Sequence, residues 1–215
     1  MNSTLKVGLL FGLLYIGFAN AANAAGPDPN SNYIQSISYA GSGCPQGTVG
    51  QSISNDRQTF TLIFDSFVAS AGPGVPLTEA TKNCVITLNL HLAPGWTTWV
   101  QTVMRRGYVQ LPAGSATGVT NAKMTPPSRV APAMGNNGVD VSSNFKVSGP
   151  AAKDYVDFLS PVVTAHAPAD VCNTVKPLTL SVQIQVPVPS GGQAQVTNDS
   201  IDGKLSQVVG STYCH

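Results

Sequence analysis

The chain has 215 residues, which suits one domain of ordinary size. Only 10% of the residues are charged and the formal net charge is +1, which excludes the strong field that recruits nucleic acid or anionic lipid. Glu, Lys and Arg are scarce beside 21 Gly and 16 Pro, which excludes a long helical bundle and indicates a chain rich in turns.

The N-terminus has the pattern of an export signal. Lys6 supplies a positive charge, Val7–Phe18 is apolar, and Ala22-Asn23-Ala24 offers a cleavage pattern of small residues. The apolar run is shorter than the ~20 residues that cross a bilayer, and no basic cluster follows it. We therefore predict a signal peptide at 1–24, an extended leader at 25–32, and a mature protein that is secreted and extracellular, or periplasmic if the source is bacterial.

Apolar and polar side chains alternate with a period of two along much of the mature chain, which predicts β-strands. The alternation is weak over Tyr33–Tyr39. Over 59–68 both strand faces are partly apolar, which predicts a strand covered on both sides. Cys84 to Leu92 and Leu178 to Val188 each gather their apolar residues on one face, and Pro187 places the end of the latter strand at a sheet edge or bulge.

The remaining segments are less regular. Strands are expected at 96–104 and 108–111 with Gly107 as a break between them, and weaker ones at 145–147, 194–197 and 205–209. Residues 111–137 have little periodicity and predict a long surface loop, and a short helical turn is expected at 153–159. Together these elements predict a single antiparallel β-sandwich domain over 33–215, with a jelly-roll or immunoglobulin-like topology left open.

Four cysteines, Cys44, Cys84, Cys172 and Cys214, form an even set in an exported chain and predict two disulfides. Spacing leaves three connectivities open. We expect Cys44–Cys84 and Cys172–Cys214, because each pair encloses a modest loop. Each cysteine is isolated in the sequence, whereas zinc sites use close pairs, so we expect neither a metal site nor another cofactor.

Several motifs resemble one family of small secreted proteins of fungi and bacteria. They are Gly41-Ser42-Gly43-Cys44-Pro45-Gln46-Gly47, Leu62-Ile63-Phe64-Asp65-Ser66-Phe67, Gly72-Pro73-Gly74 and Lys82-Asn83-Cys84. The Pro94-Gly95 turn, the Arg106-Gly107 pair and Cys172 continue the pattern, although the match around Cys172 is looser. The chain resembles domain of unknown function 4360 over most of its mature length. The resemblance implies an exported, disulfide-containing, mainly β protein, and brings no catalytic residues.

The sequence contains no recognisable catalytic constellation. No Gly-x-Ser-x-Gly elbow occurs, and the three histidines do not have the spacing of metal ligands on one face. Asp65 lies in an apolar segment, where burial would raise its pKa unless a cation offset it. We expect it to form a structural ion pair with an arginine, foremost Arg106, with Arg57 and Arg105 as the other candidates.

Aromatic side chains are the candidate ligand-binding residues, because they stack on sugars. Trp96, Trp99 and Tyr108 are the candidates, but Trp96 and Trp99 are an odd number of residues apart and would face opposite sides of a regular strand. The Asn198-Asp199-Ser200 sequon permits N-glycosylation in a eukaryotic secretory route.

Two functions fit these observations. The first is a non-enzymatic secreted protein whose surface loops bind an extracellular protein or glycan, one variant being a protease inhibitor. The second is a secreted hydrolase of polysaccharide or peptide, with Asp65 as the acid–base group. The hydrolase requires Asp65 to share a cleft with a second carboxylate or a histidine.

Overall fold

The computed structural model describes residues 31–93, 96–114, 118–125, 141–159, 165–166 and 174–209. Most of these residues lie in antiparallel strands, and the described helical structure is one turn of 3-10 helix at Leu77–Ala80. No helix in these segments is long and apolar enough to cross a membrane. The strands are β1 (Tyr33–Ala40), β2 (Val49–Ile53), β3 (Thr59–Phe64), β4 (Val68–Ala71), β5 (Thr81–Leu92), β6 (Trp96–Leu111), β7 (Gly118–Thr125), β8 (Val141–Val147), β9 (Ala151–Leu159), β10 (Ala165–His166), β11 (Thr174–Gln185), β12 (Ala194–Thr197) and β13 (Ser200–Val209).

The strands form two sheets, so the predicted β-sandwich is confirmed. The five-stranded sheet has the order β1-β5-β11-β7-β8. The eight-stranded sheet has the order β2-β3-β13-β6-β12-β4, with β9 and β10 also paired to β6. The thirteen described strands exceed the seven to nine of an immunoglobulin domain.

The core lies between the sheets, where the strongest alternation predicts it. Leu178, Leu180, Val182 and Ile184 of β11 are each at most 2% exposed, as are the alternate residues Ile86 and Leu88 of β5. From the eight-stranded sheet, Phe60, Leu62 and Ile201 are equally buried. The polar residues of β5 and β11 are thereby directed to the outer face of the five-stranded sheet.

Gly107 does not break a strand, contrary to the sequence prediction, because β6 runs without interruption from Trp96 to Leu111. The glycine serves close packing instead. A Cβ atom at Gly107 would lie 2.2 Å from the backbone oxygen of Thr197 and 2.8 Å from the hydroxyl of Tyr155. Only a residue without a side chain fits at this crossing of β6 and β12.

Two other predictions are wrong. The long loop predicted at 111–137 contains β7, whose core-facing positions Thr120 and Ala122 are too polar or too small to give a hydrophobic signal, while residues 126–137 lie outside the described residues. The helical turn predicted at 153–159 is part of β9. In β9, Tyr155, Asp157 and Leu159 all face the core. Because the middle one of these three is a carboxylate, apolar and polar residues do not alternate in the sequence as they do in β11.

The Cys44–Cys84 disulfide is present, with Cα atoms 5.6 Å apart, and both cysteines are buried. It ties the turn after β1 to the start of β5. The predicted Cys172–Cys214 bridge falls outside the described residues, as do the predicted signal peptide and most of the leader.

Candidate functional site

Four amide side chains form a straight row across the outer face of the five-stranded sheet. Asn83 of β5 pairs with Gln183 of β11, Gln183 pairs with Asn121 of β7, and Asn121 pairs with Asn144 of β8. We call these four residues the amide row. Neighbouring strands lie ~4.8 Å apart, so the row spans roughly 14 Å.

The amide row lines an open groove of about 480 Å³. Ser142, Ser181 and Val85 add two hydroxyls and one apolar side chain to its wall. Asn83, Gln183, Asn144 and Ser142 are exposed. The groove is therefore a shallow channel across the sheet, with an accessible polar lining.

The described residues that line the groove include no Asp, Glu, Lys, Arg or His. Most of its amides are also unengaged. Within the described segments no side-chain hydrogen bond involves Gln183 or Asn144, and the buried side-chain oxygen of Asn121 has no partner. Asn83 is held in place because its Oδ1 accepts a hydrogen bond of 2.8 Å from the Ser42 hydroxyl.

A buried ion pair supports the groove from beneath. The Arg105 guanidinium of β6 crosses the core and pairs with the Asp157 carboxylate of β9. It also donates to the Asn121 backbone oxygen at 3.2 Å and to Ser143 Oγ at 3.0 Å. The pair thus joins β6 and β9 of one sheet to β7 and β8 of the other, and fixes the backbone under one end of the amide row.

The expected ion pair between Asp65 and Arg106 is not what the structure shows. β3 ends at Phe64, so Asp65 lies exposed in the following bend, where its backbone N–H donates to Thr48 at 3.0 Å. Arg106 instead contacts Asp202, at 3.2 Å. Apolar neighbours suggested that Asp65 was buried, but they belong to the strand before it and to the inward-facing Phe67 after it.

The three aromatic candidates all lie on β6 in the eight-stranded sheet, and so not on the sheet that carries the groove. Trp96 and Trp99 pair with Val209 and Ser206, and their side chains fall outside the described structure. Tyr108 is half-buried, between the core residues Gly107 and Val109. A role for these residues in ligand binding stays a prediction.

The histidines and the sequon do not form a site in the described structure. His91 stacks on Tyr33 with ring centroids 4.5 Å apart, and no cluster of metal-ligating side chains occurs in the segments described. Asn198 is 1% exposed and its backbone N–H donates to Phe67 at 2.9 Å. The folded protein therefore does not present the Asn198 side chain, the glycan acceptor of the sequon, to solvent.

Within the described segments, two groups have shifted pKa values. Burial raises the pKa of Tyr155 well above its ordinary value, and the Tyr155 hydroxyl donates to the Thr197 backbone oxygen at 2.7 Å. The Ser54 hydroxyl, which donates to Asp56, lowers the pKa of that exposed carboxyl. Both shifts lead away from neutral pH, so neither group is tuned for proton transfer there.

A comparison with known proteins supports the secretion that the sequence predicts. An uncharacterized secreted protein of Arthroderma benhamiae is 32% identical over 186 residues, which cover 85% of this chain and 71% of the relative. This relative confirms the predicted secretion.

Solved structures give a weaker likeness. TmCBM61, determined with β-1,4-galactotriose, is 10% identical with a TM-score of 0.31, over 82% of this chain and 91% of that one. The winged bean acidic lectin, determined with methyl-α-D-galactose, is 11% identical with a TM-score of 0.32, over 80% and 100%. TM-scores this low give no argument about function. The family model of domain of unknown function 4360 matches residues 30–214, and the chain belongs to that family, as its motifs predict.

Proposed function

We propose that this protein is a secreted, non-enzymatic β-sandwich that binds a neutral extracellular glycan along the amide row. One observation carries the proposal. The register of four strands brings Asn83, Gln183, Asn121 and Asn144 into one line on an open groove whose described lining residues carry no charge.

The chemistry of the lining matches a neutral glycan. An amide both donates and accepts hydrogen bonds, and a sugar hydroxyl does the same, so each can satisfy the other. The strands fix the backbone positions of these amides before the ligand arrives, so the entropy cost of binding is limited to the ordering of their side chains. A groove of roughly 14 Å favours a chain of several sugar rings over a single ring. A charged polymer would find no counter-charge among the described residues of the lining.

The same lining argues against the hydrolase. Glycosidases place two carboxylates on either side of the scissile bond, about 5 to 9.5 Å apart. No carboxylate is among the described lining residues, and Asp157 is occupied by Arg105 beneath the groove. Asp65 lies exposed in the bend after β3, away from the groove. Recognition without reaction is the function that this arrangement supports best.

The test uses the mature protein and a panel of soluble neutral polysaccharides, namely laminarin, hydroxyethyl cellulose and galactomannan, with polygalacturonate as the charged control. Binding is measured by affinity electrophoresis and then by isothermal titration calorimetry. The Gln183→Ala/Asn144→Ala variant loses two ligand hydrogen bonds of ~0.5–1.5 kcal/mol each, so the affinity of the amide row should fall roughly 5- to 150-fold.

The matched control is Gln51→Ala/Asn55→Ala, because both residues are exposed and lie on β2 and in the turn that follows it. This control should bind like the wild type. Wild-type affinity together with the wild-type number of sites in the Gln183→Ala/Asn144→Ala variant would contradict the proposal. So would a wild-type protein that binds no neutral polysaccharide, and inhibition of a secreted protease by that protein would then favour the inhibitor hypothesis.

A further inference from the structure

A second row of uncharged polar side chains crosses the outer face of the eight-stranded sheet. Gln195 of β12 pairs with Ser70 of β4 on one side and with Gln110 of β6 on the other. Gln110 pairs in turn with Ala152 of β9. Core residues such as Val109 and Ala194 alternate with these positions, so the row faces away from the core.

Two adjoining clefts lie over this row, and we call them together the Gln cleft. The larger has a volume of about 360 Å³ and is lined by Gln110, Leu111, Pro112, Pro150, Ala151, Ala152 and Gln193. The smaller, of about 60 Å³, shares Gln110 and Gln193 with it and adds Gln195 and Ser70. The shared residues make the two clefts one continuous surface.

The Gln cleft has the two kinds of surface that a sugar ring needs. Gln110 and Gln193 are exposed, and within the described segments no side-chain hydrogen bond engages them. Pro112 and Pro150 provide rigid apolar surface on which the C–H face of a pyranose can lie. As in the amide row, no described lining residue is charged.

The positions of the amide row and the Gln cleft determine how many polymer chains one protein molecule can contact. The amide row lies on the outer face of one sheet and the Gln cleft on the outer face of the other, and packed sheets are ~10 Å apart. The two surfaces therefore point in opposite directions, and each is open to a separate polymer chain. Two sites on opposite sides of a rigid body join two chains.

We propose that the Gln cleft is a second binding site for neutral glycan and that one protein molecule bridges two glycan chains. This inference rests on the proposed function, because it requires that the amide row also binds glycan. It extends that function from recognition to cross-linking of an extracellular polymer.

The test measures stoichiometry and cross-linking separately. Calorimetry with an oligosaccharide fragment of the bound polysaccharide should give two sites for the wild type, and one for either Gln110→Ala/Gln193→Ala or Gln183→Ala/Asn144→Ala. Light scattering of the full polysaccharide should rise with the wild type and fall at least fivefold with either variant. Sedimentation of the protein by itself checks that it is monomeric, since a dimer would bridge chains with one site per copy.

The two proposals fail in different ways. If the wild type has one site and Gln110→Ala/Gln193→Ala keeps it while Gln183→Ala/Asn144→Ala abolishes it, the second site is refuted and the proposed function stands. If the affinity is lost only in Gln110→Ala/Gln193→Ala, the amide row is not a site and bridging is also refuted. All four substituted side chains lack hydrogen bonds in the described structure, so each variant should melt at the wild-type temperature.

Discussion

The buried pair of Arg105 and Asp157 allows a quantitative prediction. Arg105 is 0% exposed and is one of the largest fully buried side chains, while the Asp157 side chain is 12% exposed. Replacement of Asp157 by Ala leaves a guanidinium in the core with only the Asn121 backbone oxygen and the Ser143 hydroxyl as partners. Both are neutral acceptors and cannot balance its charge.

The burial of Arg105 determines how much the free energy of unfolding should fall in Asp157→Ala. Removal of one partner of a buried ion pair costs ~3–5 kcal/mol, because the remaining charge is desolvated without compensation. Domains of this kind have a total stability of ~5–15 kcal/mol, so Asp157→Ala should lose about a third of it. Arg105→Met/Asp157→Ala removes both charges and should be less destabilised than Asp157→Ala, although it leaves the Asn121 oxygen without its donor.

Equilibrium urea unfolding of the wild type, both single variants and the double variant gives the four free energies of a double-mutant cycle. Arg105→Met by itself should cost less than Asp157→Ala, since a partly exposed carboxylate can still reach water. If Asp157→Ala were within about 0.5 kcal/mol of the wild type, Arg105 would have to be solvated, and the argument from burial would be refuted.

Three smaller predictions concern other parts of the fold. Cys44→Ser/Cys84→Ser opens a loop with a sequence separation of 40 and should cost ~4 kcal/mol in thermal unfolding, whereas an unchanged melting temperature would contradict this. Gly107→Ala should cost at least ~1–3 kcal/mol in urea unfolding, because its Cβ would meet the Thr197 backbone 2.2 Å away; a neutral effect would refute the packing argument. Since burial raises the pKa of Tyr155, only the unfolded state ionises this group just above pH ~10. The contribution of Tyr155 to stability should therefore be constant below that pH and fall above it, and the fall in stability measured by urea unfolding should be smaller in Tyr155→Phe.

The parts of the fold that the sequence predicts are those with strong contrast between neighbouring side chains. In β11 every second residue is a large aliphatic one, and Leu178 and Ile184 are buried accordingly. In β7 and β9 the inward positions hold Thr120, Ala122 and Asp157, so the contrast disappears although the backbone geometry is the same. Asp157 is tolerated in the core because it pairs with Arg105, which lies on a strand about fifty positions earlier in the chain. The periodicity of a short segment cannot reveal this long-range contact.

The amide row could not be predicted from the sequence, for a related reason. The residues of the amide row come from four strands, of which only β7 and β8 are consecutive in the chain, and each residue is by itself an ordinary polar position on a solvent-facing strand. Only the register makes them a row, and a slip of one residue would exchange each amide for a core-facing neighbour such as Ala122 or Val182. The register is held at one end by the disulfide of Cys84, which is adjacent to Asn83, and at the other by Arg105 on the backbone of Asn121. The elements that stabilise the sandwich are thus also those that align the groove, and loss of either should weaken the proposed glycan binding before the protein unfolds.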